Sequence, residues 1–170
     1  MKQGWYRMGL ILMLVAAAPV VWAAQKKITG KVVKIVDGDT FDVLEGQTTY
    51  RIRMYGIDAP EKNQDFGNRS KQALGEACRE QPVTVVLKNK DRYRRWVGEA
   101  FDAKGRNINV LMVKRGYAWH YVQFAKHNRE LAAAQEYARA HKEGLWQQPD
   151  AVAPWDWRKA QKAARRSMAE

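Results

Sequence analysis

Arg51-Ile52-Arg53-Met54-Tyr55-Gly56-Ile57-Asp58-Ala59-Pro60-Glu61 is the stretch on which the fold turns. From Thr49 to Ile57 the residues alternate as in a strand with one buried face. Tyr50, Ile52 and Met54 point one way, and Arg51, Arg53 and Tyr55 the other. The first set suits a core; the second lays guanidinium groups along a polar face. The strand then delivers Asp58 and, after the stiffening Pro60, Glu61.

Upstream lies Val36-Asp37-Gly38-Asp39-Thr40. Residues 28–36 and 41–44 are rich in Val, Ile and Phe around the Asp37-Gly38 turn, so they read as a hairpin. If the hairpin and the arginine strand are neighbours, Asp39 and Asp58 can reach one cation. Carboxylate, carbonyl and water oxygens are the ligands of Ca²⁺ or Mg²⁺. Only two carboxylates leave such a site open, with room for water and a phosphate oxygen. Glu61 is placed to position a water and accept its proton. Arg53, and Arg95 from Asp91-Arg92-Tyr93-Arg94-Arg95, can make bidentate contacts to phosphate and stabilise charge growing on its oxygens.

The rest of the chain supplies a single domain around these pieces. A loop is expected over 62–68 and a helix over Ser70–Arg79, with Ala73, Leu74, Ala77 and Cys78 inward. A strand follows at Val83–Leu87. Another at Arg95–Phe101 pairs with the segment beyond the turn Asp102–Gly105. A short helix around Val110–Val113 ends before Gly116. The clearest helix is Arg129–Lys142, with Leu131, Ala134 and Ala138 on one stripe. Strands, helix, strands, then helices make an α+β fold whose short strands can close into a small barrel.

Residues 1–24 read as an export signal. Lys2 and Arg7 precede an apolar run from Met8 to Val21, and Val21-Trp22-Ala23 offers a cleavage site. The expected location is periplasmic or secreted, with an uncleaved membrane anchor as the alternative. The domain occupies 25–147. Residues 148–170 form a tail with Pro149, Pro154, Trp155 and Trp157, ending in a basic segment, Arg158–Arg166, read as solvated. The formal charge is +12, from 30 Lys and Arg against 18 Asp and Glu. The leader carries two of the bases and no acid, so the remainder stays strongly basic. Nucleic acid is the expected partner, and anionic membrane surface the alternative.

The single cysteine, Cys78, cannot form an internal disulfide and reads as a buried, inert thiol. His120, His127 and His141 lack the spacing of a zinc site. Tyr117, Trp119, Tyr121 and Phe124 suit either base stacking or rim packing.

Val36–Thr40, Arg51–Glu61 and Asp91–Arg95 together resemble the staphylococcal nuclease (thermonuclease) family, over about Ile28–Trp146. That resemblance implies a five-stranded OB-fold barrel with three helices. It implies Ca²⁺ on Asp39, Asp58 and the main-chain carbonyl of Ala59. It makes Glu61 the general base, Arg53 and Arg95 the catalytic arginines, and Arg92 and Tyr93 contacts to a further phosphate. The implied activity is Ca²⁺-dependent hydrolysis of DNA and RNA, leaving 3′-phosphate ends. Single strands are the favoured substrate, no stable protein partner is expected, and a monomer is the default for a domain this size. A non-catalytic OB-fold that binds single strands is the alternative. One position departs from the pattern. Arg94 stands where the family has Gly; if φ is positive there, the turn is strained.

Overall fold

The computed structural model describes residues 25–169, so the leader lies outside the described residues. Five strands close a barrel: β1 (Lys27–Ile35), β2 (Thr40–Glu45), β3 (Thr48–Met54), β5 (Val83–Lys90) and β6 (Trp96–Phe101), in the order β1-β2-β3-β6-β5. Two short strands, β4 (Ile57–Asp58) and β7 (Trp119–His120), pair outside it. The helices are α1 (Gly67–Ala77), α2 (Ile108–Lys114), α3 (Val122–Ala125), α4 (Arg129–Ala140) and α5 (Pro154–Ser167), with a 3₁₀ turn at Gly144–Gln147. The expected α+β barrel is present, with more helices than three.

Alternation explains the closure. Ile28, Phe41, Val43, Ile52, Met54, Val83, Val85 and Ala100 are each 1% exposed or less and fill the interior. Their partners on the other face are mostly polar, so each strand has one register that buries its apolar set. Leu74 of α1, Ile108 and Met112 of α2 and Leu131 of α4 seal the barrel on the helical side. Asn107 and Asn128 cap α2 and α4, accepting from the amides of Val110 and Leu131. Cys78 is buried, and burial pushes its thiol up to about 12.

Four sequence expectations change. The third strand stops at Met54 because Gly56 (φ 71) turns the chain; Ile57–Asp58 then pairs with Trp119–His120. The first helix starts at Gly67, three residues earlier than its pattern indicated. β6 does not pair with the segment after Asp102–Gly105, apart from one bridge, Phe101 to Asn107. It lies parallel to β3 and antiparallel to β5. The tail is ordered rather than frayed: Pro154 opens a 14-residue helix whose first turn is docked, while Lys159–Ala169 stay exposed.

A second, smaller cluster seats α5. Trp119, Leu145 and Ala153 are buried there, with Phe66, Trp146 and Trp155 packed against them. The Trp155 ring stacks on Tyr121 at 5.2 Å and 4°, and meets Trp119 edge-on at 5.7 Å. Such aromatic pairs add about 1 kcal/mol each beyond their burial. Aromatic packing thus holds the start of α5 beside β4 and β7.

Candidate active site

The sheet register brings the three motifs together. In the β2–β3 pair, Thr40 faces Arg53. In the parallel β3–β6 pair, Ile52 faces Trp96, so Arg95 enters from the residue just before β6. Asp58 lies on β4 just past the Gly56 turn.

Gly38 makes the acidic turn fit. A Cβ there would lie 2.6 Å from the Cβ of Ser70 and 2.7 Å from that of Ala59. Only a glycine allows the turn to press between α1 and the Asp58 segment. Asp37 Oδ1 accepts the Asp39 amide at 3.0 Å, which fixes the turn.

Asp39 is 6% exposed and Asp58 1%. Asp39 Oδ2 accepts the Ala59 N–H at 2.8 Å, while Asp39 Oδ1 accepts the Thr40 hydroxyl at 3.0 Å. Arg53 ties the pair together: Nε lies 3.1 Å from Asp39 Oδ1, and Nη2 lies 2.8 Å from Asp58 Oδ1. Its Nη1 donates to the carbonyls of Met54 and Ile57 at 2.9 and 2.8 Å. All three guanidinium nitrogens of Arg53 are therefore engaged by the protein. The residue assigned from sequence to phosphate also holds the two carboxylates in place.

Crowding of acids in a buried place shows in their protonation. Burial first, then the neighbouring Asp39 charge, pushes Asp37 up to about 6. Burial also raises Asp58, against the opposing pull of Arg158 and Arg53.

Glu61 sits at the rim, its side chain 42% exposed. Its amide donates to Gln64 Oε1 at 3.1 Å, and Gln64 Nε2 donates to the Val152 carbonyl at 2.7 Å. The loop that carries Glu61 is thereby bound to the segment entering α5.

Arg95 approaches from the other side. Its Nε donates to Asp91 Oδ2 at 2.7 Å, and Nη1 reaches Thr40 Oγ1 at 3.5 Å. Although burial works the other way, the Arg95 hydrogen bonds hold the Asp91 carboxyl below the usual range. Arg94 takes the left-handed conformation, φ 64, so the strain anticipated at this position is present. It does not displace Arg95. Tyr93 is 65% exposed, with the guanidinium carbons of Arg92 and Arg95 at 4.8 and 5.5 Å from its ring centroid.

Of the four aromatic residues read as stackers or packers, Tyr117 joins the main core and Trp119 is buried. Tyr121 is covered by Trp155, and Phe124 alone is widely exposed, at 64%. His120 is buried, its Nε2 bonded to the Ala125 carbonyl at 2.9 Å.

Arg158 was missed. From the second turn of α5 it donates through Nη2 to Asp58 Oδ2 at 2.8 Å and through Nη1 to Glu61 Oε1 at 2.7 Å. Nη1 also lies 3.3 Å from Asp58 Oδ1. The signal was Trp155 with Arg158: three apart on a helix, they share a face. A tryptophan on that face marks it as docked rather than solvated.

Among the described residues no three acidic, His or Cys side chains converge as a ready-made metal cage. What converges is the buried pair Asp39 and Asp58, with Glu61 standing apart at the rim. The donor set fits a hard divalent cation, because every donor is oxygen and cationic nitrogens of Arg53 and Arg158 already stand against it. Two surface hollows, one lined by Lys27, Pro82 and Phe101, the other by Tyr55, Lys88 and Phe124, include none of these acids. Chemistry, not concavity, marks the site.

Residues 51–148 match the family described as staphylococcal nuclease homologue. The chain is 41% identical over 131 residues to an uncharacterized endonuclease of Escherichia coli O157:H7, covering 77% of this chain and 85% of the relative. It is 38% identical over 162 residues to a micrococcal nuclease of Shigella flexneri, covering 90% and 91%. A staphylococcal-like nuclease of Arabidopsis thaliana is 36% identical over 110 residues, 65% of this chain and 33% of that protein. A barrel that sets paired buried aspartates beside a glutamate and arginines defines a class, and the chain belongs to the staphylococcal nuclease family.

Proposed function

We propose that this chain is an exported, Ca²⁺-dependent nuclease that hydrolyses phosphodiester bonds of DNA and RNA, with single strands favoured. The observation that carries the proposal is the joining of Asp39 and Asp58 by Arg53, with Glu61 on the adjoining loop. The nuclease names of the relatives agree with it. The leader-like residues 1–24 support export, and Ca²⁺ is abundant outside the cytoplasm, where a weak, open site suffices.

Asp39 and Asp58, with the Ala59 carbonyl, would hold the cation. The chemistry Ca²⁺ would supply there is neutralisation of a phosphate oxygen, which would make phosphorus more electrophilic. Glu61 takes the proton from a water as the water attacks phosphorus. Its exposure suits this role, because solvent and substrate both reach it. Negative charge then grows on the non-bridging oxygens. Arg53 and Arg95 stabilise that charge from two sides. Arg92 and Tyr93, exposed beside Arg95, serve the next phosphate along the strand. Rupture of the 5′ O–P bond leaves a 5′-hydroxyl and a 3′-phosphate.

The test is cleavage of single-stranded DNA and of RNA by the purified chain with Ca²⁺, with Mg²⁺ and with excess chelator, with end analysis of the products. Ca²⁺-dependent fragments bearing 3′-phosphates are expected. Metal-independent binding without cleavage would move the chain to the binding class.

A further inference from the structure

Arg158 belongs to a helix beyond the matched segment, yet it makes the closest described contacts to Asp58 Oδ2 and to Glu61 Oε1. Its partners bear directly on the proposed chemistry. Among the described residues, Asp58 Oδ2 has Arg158 as its one hydrogen-bond partner, whereas Asp58 Oδ1 is shared by Arg53 and Arg158. A divalent cation bound through Asp58 needs a carboxylate oxygen. Arg53 is anchored from behind by two carbonyls, but the rest of the Arg158 guanidinium is open, its side chain 42% exposed. The replaceable cation is therefore Arg158.

We infer that Arg158 is a tethered competitor of the metal, which must leave Asp58 for the cation to enter, so that α5 sets the metal concentration at which the site fills. This deepens the proposed function and rests on it. The stacked Trp155 and the buried Ala153 and Pro154 hold the helix start in place. Arg158 therefore competes intramolecularly, at an effective concentration that dilution does not change. With metal absent, the guanidinium shares with Arg53 the countering of the buried Asp58 charge. With metal present, it is freed from Asp58 beside the place where an anionic phosphate binds. Arg158 acts here as a positioning residue, through the occupancy of Asp58.

The test is calorimetric titration of Ca²⁺ into the purified full chain and into R158A, R158K and W155A, without nucleic acid. R158A is expected to bind Ca²⁺ about fivefold more tightly or better, in keeping with the modest worth of a part-exposed ion pair. R158K should fall between it and the parent. W155A, which touches no carboxylate, should shift affinity the same way by loosening the tether. It also keeps the proposal testable if R158A does not fold. A support role for Arg158 predicts the reverse, weaker Ca²⁺ binding in R158A. Equal or weaker binding in R158A and W155A overturns the inference and leaves the nuclease reading standing. Absence of Ca²⁺ binding in every form, with or without Arg158, overturns both.

Discussion

Arg53 and Asp58 meet through Nη2 and Oδ1 at 2.8 Å, while Nε of the same guanidinium lies 3.1 Å from Asp39. A flat fork with several donors can span two carboxylates and two carbonyls; an ammonium cannot. Arg53→Lys should therefore lose most of the function of Arg53→Ala despite keeping its charge. Both variants should cut turnover by about 100-fold or more. Arg53→Ala should also lower stability by about 3 kcal/mol, because it strands buried carboxylates. Steady-state kinetics and urea unfolding check the two effects separately.

Gly38 and Gly75 make a contrasting pair. A methyl at Gly38 collides with Ser70 and Ala59, whereas one at Gly75, inside α1, meets only Ile35 Cγ1 at 3.8 Å. Gly38→Ala should cost about 1–3 kcal/mol and displace Asp39, with loss of cleavage. Gly75→Ala should stabilise by about 0.5–1 kcal/mol through helix propensity and leave activity unchanged. Thermal melts and activity assays of both variants distinguish a fault at the acidic turn from general sensitivity to alanine.

Arg94 carries the backbone strain next to Arg95. Arg94→Gly relieves about 1–2 kcal/mol of left-handed strain and gives back part of it through a freer unfolded chain. A net gain of up to about 1 kcal/mol is expected in denaturant unfolding. Cleavage should persist, because Arg95 is fixed by Asp91 rather than by Arg94. A loss of stability would mean the turn tolerates the arginine without strain.

Asp37 gives stability a pH dependence. Burial and the Asp39 charge push its carboxyl up to about 6, from an ordinary 3.8. The folded state therefore holds the proton more tightly than the unfolded state. The associated stability is present below about pH 4 and is lost as pH rises through 6. Asp37→Asn keeps an oxygen for the Asp39 amide and removes the titration. The variant's stability relative to the parent should rise between pH 4 and pH 8 by about 2–3 kcal/mol in chelator. A flat difference across that range would show that Asp37 is not driven upward.

Much of this site was legible in sequence, because the residues that build it lie at the ends of strongly patterned strands. The alternation Tyr50–Met54 fixes which face Arg53 occupies, and Asp-Gly-Asp marks the turn. What the pattern could not show is pairing beyond the β1–β2 hairpin. β3 and β6 lie side by side in parallel, far apart in the chain, and nothing local signals that. Two-residue strands such as β4 and β7 are too short to carry a period, yet their pairing puts Asp58 opposite Trp119. Helix α5 was hidden for another reason. Lys159, Lys162, Arg165 and Arg166 make most of it a solvated face. Its docking depends on Trp155 meeting aromatic residues brought there by β7 and by the 3₁₀ turn.

The most direct measurement of the central claim is the turnover of single-stranded DNA by Glu61→Gln beside the parent chain, in Ca²⁺ and in chelator. Glu61 is at the rim, and among the described residues its side chain pairs only with Arg158, so the substitution should leave folding stability within about 1 kcal/mol. Ca²⁺-dependent cleavage by the parent is expected, with a drop of about 100-fold to 10,000-fold in the variant, the range for a lost general base. Equal turnover in the two chains, or cleavage that survives chelation, would contradict that claim.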